Sequence, residues 1–278
     1  MNILIFGSNG MLGRYMKTYL SSKYDVSTVD RKQLDLSLVR KKEELYSFLH
    51  TYPILFGIDV VINCAGVIKP RVSDAGSAQT ISVNSVFPHL LSSICEENNI
   101  KLCHISSDCV FSGKSREPYY EYQLDTATDL YGKSKLLGEP SNCSVIRTSI
   151  IGEEIGQSRS LIEWAKTQKG KQIKGFIDHL WNGISCLQLS ELISLIIEDK
   201  NYWKGIRHVF SPNSVSKYEL LNMINDVYDL QIKIEKTESG DYCHRVLKTQ
   251  YELWGKYLKD HIPEIKEQII KMKNFKLQ

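Results

Sequence analysis

Short apolar runs alternate with amphipathic stretches along most of the chain. Residues 2–6 form a compact apolar run, a glycine-rich stretch follows over 7–13, and apolar positions then repeat with helical spacing to Leu20. The same rhythm predicts strands at 25–29, 59–62, 101–105 and 144–148. Between them it predicts helices over roughly 37–50 and 80–97, with Asn84 in the first turns of the second, and a shorter helix around residue 131. Five strands alternating with helices imply an α/β protein with a doubly wound parallel sheet and right-handed crossovers. Beyond residue 150 the pattern loosens. Helices near 159–168, 188–199 and 216–228 and strands near 171–177 and 206–210 suggest a smaller, interleaved C-terminal α/β region that covers a substrate.

Composition narrows the class. With 278 residues, 42% hydrophobic and 24% charged, the chain can bury a substantial core and has the make-up of an ordinary soluble protein. The formal charge of +3 is dispersed, which argues against a nucleic-acid groove but leaves room for a local anion pocket. The apolar start is too short for a signal peptide and no run of about 18 apolar residues follows, so a cytoplasmic protein with no membrane partner is expected. Seven cysteines, at 64, 95, 103, 109, 143, 186 and 243, show neither Cys-x-x-Cys nor zinc spacing. They are expected to be reduced, small hydrophobic residues, with no metal site. The lysines at 266, 271, 273 and 276 are placed on the solvated face of a final helix.

The candidate chemistry lies at strand ends. Gly7, Gly10 and Gly13 follow the first strand and open a helix, an arrangement that lets a pyrophosphate approach the backbone and the helix N-terminus. About twenty residues on, where a ribose-reading residue belongs, Asp30 suits the 2′-hydroxyl of NAD and Arg31 the 2′-phosphate of NADP. The small residues Cys64, Ala65 and Gly66 end the third strand, and Ser106, Ser107, Asp108 and Cys109 end the fourth. A polar loop over 112–128, long for a compact domain, leads into Tyr131-Gly132-Lys133-Ser134-Lys135. A four-residue step brings Tyr131 and Lys135 to one helix face, about 6 Å apart along the axis. An ammonium beside a phenol favours the phenolate, so Lys135 is expected to lower the Tyr131 pKa from its usual value of about 10. Such a spacing in isolation also fits a surface helix with a snorkelling lysine. Lys69 and Arg245 are candidate diphosphate contacts by charge and placement.

Taken together, Gly7 to Gly13, Asn63 to Gly66, Ile105 to Phe111, Tyr131 to Glu139 and Val145 to Ser149 resemble an extended short-chain dehydrogenase/reductase. Within that superfamily they are most similar to the dTDP-4-dehydrorhamnose reductase family of nucleotide-sugar 4-ketoreductases. The resemblance implies an NAD(P)-binding Rossmann domain over 1–150 and a mainly substrate-binding region over 151–278, partly interleaved with its sheet. It implies reduction of the C4 ketone of a nucleoside-diphosphate 4-keto-6-deoxyhexose, in deoxysugar biosynthesis for surface polysaccharide. NADP(H) is favoured and NAD(H) is allowed, and a homodimer is compatible with the family.

The resemblance also distributes roles. Catalysis falls to Ser107, Tyr131 and Lys135. Cofactor binding falls to Gly7, Asn9, Gly10, Met11, Leu12, Gly13, Asp30, Arg31, Asp35, Leu36, Cys64, Ala65, Gly66, Asn84, Ser106, Tyr131, Lys135 and Thr148. Substrate binding falls to Lys69, Ser107, Asp108, Cys109, Tyr131, Trp181 and Arg245. Two departures stand out: Ile150 replaces an aromatic residue, leaving Trp181 as the candidate sugar platform, and no proline precedes Tyr131. Two rival readings remain open. One is a 3,5-epimerase/4-reductase similar to GDP-fucose synthase, with Cys109 and His179 as the acid and base. The other is a non-catalytic nucleotide-binding regulatory subunit.

Overall fold

The computed structural model describes residues 1–51, 57–156 and 160–277. Its first half alternates strands and helices in the order β1 (Asn2–Phe6), α1 (Met11–Leu20), β2 (Asp25–Val29), α2 (Lys42–Thr51), β3 (Val60–Asn63), α3 (Val72–Ile81), α4 (Phe87–Glu97), β4 (Lys101–Ile105), α5 (Leu130–Leu137) and β5 (Ser144–Arg147). Shorter pieces follow: β6 (Ile150–Ile151), α6 (Leu161–Thr167), β7 (Gln172–Phe176), β8 (His179–Trp181), β9 (Ile184–Ser185), α7 (Cys186–Glu198) and β10 (Gly205–His208). The chain then adds β11 (Val215–Ser216), α8 (Lys217–Tyr228), β12 (Lys233–Thr237), β13 (Cys243–Arg245), α9 (Glu252–His261) and α10 (Ile265–Asn274). No helix among the described residues is long and apolar enough to cross a membrane.

Six strands form one parallel sheet in the order β10-β5-β4-β3-β1-β2. The near-continuous apolar runs of the central strands follow from burial on both faces. Ile3, Ile5, Val60, Ile62, Ile105 and Ile146 meet α1 and α7 on one side. Leu4, Phe6, Val61, Leu102 and Val145 meet α2 and α4 on the other. The connections diverge on either side of β1, to β2 and to β3, and such a reversal opens a crevice at the carboxyl ends of the strands. The strand expected near 206–210 is β10, and it joins the main sheet beside β5.

Three helices differ from the sequence expectation, each for a local reason. The helix expected from 37 begins at Lys42, because Asp35 Oδ1 accepts from the Ser37 amide and hydroxyl and holds a turn there. The Glu44 carboxylate then accepts from the Arg40 and Lys41 amides and caps the start. The helix expected over 80–97 is three segments: α3, a π-helical turn over Ser82–Val86, and α4. Gly76, at φ +73°, breaks the first. Pro88 lacks the N–H that an unbroken α-helix would direct at the Asn84 carbonyl, and the wider turn sits at that point. Asn84 therefore lies in mid-segment. The helix expected near 159–168 begins at Leu161 behind a Ser160 cap, with residue 159 outside the described residues.

The freed carbonyl becomes a packing surface. A Cβ on Gly138, just past α5, would lie 1.8 Å from the Asn84 oxygen, and one on Gly132 would lie 2.2 Å from the Cys109 oxygen. Backbone meets backbone at both ends of α5, which fixes the helix against the π-helical turn and the segment that follows β4. Gly138→Ala is expected to lower stability by about 3 kcal/mol through overpacking, since no flexible side chain can yield. Urea unfolding checks this through a lower midpoint at an unchanged slope.

Candidate active-site cleft

β1 delivers the chain into a left-handed turn at Gly7, φ +78°, where a Cβ would lie 2.6 Å from the Ala65 nitrogen. Gly13 packs as tightly, with a Cβ position 2.1 Å from the Gly7 oxygen. Gly10 differs: its nearest neighbour would be 3.4 Å away, and it caps α1 without a side chain, so the first amides of that helix face open space. That space is a groove of about 550 Å³ running from Gly7–Gly10 to Asp30, Arg31, Asp35 and Leu36. A second volume of about 580 Å³ shares Asn9, Gly10, Cys64, Ala65 and Gly66 with the first. It continues past Met11 and Leu12 to Ser106–Cys109, Tyr131, Lys135 and Thr148. The two make one cleft along the carboxyl edge of the sheet.

Hydroxyl, phenol and ammonium converge in the second half. Asp129 caps α5 by accepting from the Gly132 amide at 2.8 Å, and so orients Tyr131 and Lys135 into the cleft. Ser107 Oγ accepts from the Cys109 amide at 3.1 Å, donates towards Asp108 at 3.3 Å, and lies within hydrogen-bonding reach of Tyr131. Lys135 is buried, and its Nζ donates to the Ile105 carbonyl at 2.7 Å. Burial pulls its ammonium down to about 8, against the opposing pull of Glu139.

Tyr131 departs from the expectation drawn from its spacing. Burial, then the neighbouring Cys109, pushes the phenol above its ordinary value, and the Ser107 hydrogen bond only partly offsets this. The enclosed wall of the cleft outweighs the nearby lysine. The phenol is thus held protonated at neutral pH. Asp108 is raised by burial in the same wall, opposed by Arg245, and Cys109 is pushed up to about 12 by burial and the Asp108 charge.

Several expected site residues act from behind the wall. Asn84 is buried, exchanging hydrogen bonds with the Val67 amide (2.7 Å) and carbonyl (2.9 Å) and donating to Ser134 at 3.0 Å, so it braces the wall. Gly13 packs and does not line. Trp181 lies over Gly183, whose Cβ position would be 2.2 Å from the indole, and this stacking keeps it out of the lining. Lys69 pairs with Asp129 at 2.6 Å. Arg245 Nη1 donates to Cys109 Sγ at 3.2 Å, putting its charge beside Asp108. His179 engages Ser239 and the Asp241 carbonyl and is not brought to Cys109.

Sequence reasoning missed Arg14, Arg71 and Ser149 in the lining, and Glu139 and Arg147 behind it. Glu139 carries a signal in retrospect, standing four residues beyond Lys135 as Lys135 stands beyond Tyr131.

A family model described as RmlD substrate binding domain matches residues 1–251. The chain belongs to that family. A dTDP-4-keto-6-deoxy-D-glucose reductase from Streptomyces niveus is 22% identical to it, over 79% of this chain and 76% of the relative. A dTDP-4-dehydrorhamnose reductase from Aggregatibacter actinomycetemcomitans is 26% identical, over 81% and 78%. A crystal structure of dTDP-4-dehydrorhamnose reductase from Bacillus anthracis in complex with NADP superposes with TM-score 0.81 at 19% identity, covering 98% of each chain. The cleft of this family member fits a nicotinamide dinucleotide: the Gly7 cradle admits no side chain, and the open amides of α1 face a groove that runs from the residues after β2 to Tyr131 and Lys135.

A side chain at Gly10 would enter the groove, its Cβ meeting the fold only at the Gly7 carbonyl in ordinary contact. Gly10→Val is therefore expected to weaken NADPH binding at least ~10-fold by steric exclusion while shifting the melting temperature by less than about 3 °C. Titration of NADPH fluorescence and a thermal scan of the same preparation check both halves.

Proposed function

We propose that the protein reduces the C4 ketone of a nucleoside-diphosphate 4-keto-6-deoxyhexose, with NADPH favoured over NADH. The observation that carries this reading is the convergence of Ser107, Tyr131 and Lys135 in the one cleft whose far half is built for a dinucleotide. Bound NAD(P)H supplies the hydride. The Gly7–Gly10 turn cradles its pyrophosphate, Cys64 to Gly66 and Thr148 border its path, and Lys135 holds the nicotinamide ribose. Ser107 hydrogen-bonds the ketone oxygen, and Tyr131, kept protonated by its surroundings, donates the proton that this oxygen acquires. The curated relatives named as reductases of dTDP-4-keto sugars support the substrate class.

The preference for NADPH rests on the residues after β2. Asp30 Oδ1 already accepts from the Lys32 and Gln33 amides, at 2.8 and 2.9 Å, and so is committed to the turn. Arg31 is exposed and paired only with Asp35 at 3.1 Å among the described contacts, which leaves its charge available to a 2′-phosphate. At the other end, Lys69 and Arg245 are assigned to the substrate diphosphate and Asp108 to the sugar.

Oxidation of NADPH and NADH against freshly prepared UDP-, dTDP-, GDP- and CDP-4-keto-6-deoxy sugars tests the reading directly. Tyr131→Phe is expected to reduce kcat by about 10²–10⁴-fold with NADPH binding retained; unchanged turnover would refute its role. Arg31→Ala is expected to raise KM for NADPH about 10-fold and leave that for NADH within about 2-fold, since an exposed charge acts only on the added phosphate. The kcat/KM for NADPH reports the free enzyme, in which Lys135 titrates near 8. Activity that needs the ammonium is therefore full below that pH and declines as pH rises through it.

A further inference from the structure

Tyr131, Lys135 and Glu139 stand four residues apart and form one stripe along α5 and its C-terminal end. The first two enter the cleft, and the third is buried behind it. The Glu139 carboxylate is only 3% exposed and is gripped by Arg147, with Nε on Oε1 at 2.9 Å and Nη2 on Oε2 at 2.7 Å. Its Oε1 also accepts from the Ser106 hydroxyl. Ser106 stands between Ile105, whose carbonyl receives Lys135, and Ser107. Arg147 extends the network to Asp125 in the 112–128 loop at 2.9 Å and lies over the Phe111 ring. Replacing a buried ion pair by apolar residues is often neutral for stability or better, so stability alone is a weak reason for one here.

We propose that Glu139 is a positioning residue, holding the Ser106–Ser107 end of β4 against α5 and supplying the buried negative charge that stabilises the Lys135 ammonium. The inference rests on the reductase reading above. The end of β3 contributes Cys64, a thiol pushed up to about 12 by burial. β4 contributes His104, whose imidazole burial and Lys135 itself hold well below its ordinary value. The π-helical turn contributes Asn84, which carries no charge. α5 contributes Tyr131, held protonated, and Glu139. From β5, Arg147 faces Glu139, and Asp125 in turn faces Arg147. Among the described groups facing Lys135, Glu139 is therefore the carboxylate whose charge works against the burial that draws the lysine down.

Lysine ¹³Cε resonances of the full chain, with Lys135 assigned through Lys135→Arg, read the lysine without any substrate or cofactor. In Glu139→Gln the Lys135 midpoint is expected to fall by about 1 pH unit or more, and the alkaline limb of kcat/KM for NADPH should move with it. Glu139→Asp, which keeps the charge, should restore most of both. Ser106→Ala should leave the midpoint in place and lower kcat with little change in KM for NADPH. If Glu139→Gln alone does not fold, Glu139→Gln with Arg147→Gln is compared with Arg147→Gln alone, so that the loss of the Glu139 charge is read with the arginine charge absent from both. A folded variant whose Lys135 midpoint and alkaline limb match its reference, wild type for the single variant and Arg147→Gln for the double, overturns the proposal. Wild-type protein that oxidises no NADPH with any 4-keto sugar, while the midpoint still moves in Glu139→Gln, overturns the reductase reading and leaves the charge pairing standing.

Discussion

Backbone must approach backbone where β1 turns into α1. Gly13 sits on the Gly7 carbonyl and Gly7 on the Ala65 amide, so two connections and a helix start are drawn together within the space of one peptide unit. The strand order changes direction at that point, and the crevice that results lies at the carboxyl ends of the strands. α5 obeys the same rule from the other side, lying on the Cys109 and Asn84 carbonyls. The cleft is framed by main chain before any polar side chain is considered.

Within that frame, desolvation outranks pairing. Tyr131 and Lys135 are neighbours on one helix face, yet burial moves the phenol up and the ammonium down. Both shifts favour neutral forms, as expected where low-dielectric walls replace water. The consequence suits reduction in the direction of proton donation: a protonated phenol meets a ketone oxygen as negative charge develops on it. Lys135 keeps its charge at neutral pH by a modest margin, which makes its electrostatic surroundings matter more than they would for an exposed lysine.

Much of this was readable from residue order, because the informative features are local. Apolar runs gave the strands, and the glycine spacing gave the first turn with the side chains it excludes. Ser107, Tyr131 and Lys135 were legible as a group once the strand ends were aligned. What was not legible depends on partners far along the chain. The direction of the Tyr131 shift comes first from burial and then from Cys109, and the retreat of Trp181 comes from its packing on Gly183. The place of β10 in the sheet was equally hidden, since strand order is not written in any single strand. Glu139 and Arg147 looked like ordinary members of a helix end and a strand until their mutual burial was seen.

The insertion of β10 beside β5 has a consequence for how the protein comes into being. Without β10, β5 is an open parallel edge, and the Ser144–Arg147 ladder on that side has nothing to bond. The Glu121 carboxylate of the long loop accepts from the His208 amide and from Thr249 and Gln250, so the loop too waits for residues made late. A nascent chain that has emerged only to residue 150 therefore carries every reactive group of the cleft on an unfinished, adhesive sheet. Separation of the two halves by a protease or a gene break would yield an aggregating fragment, not a free-standing nucleotide-binding module.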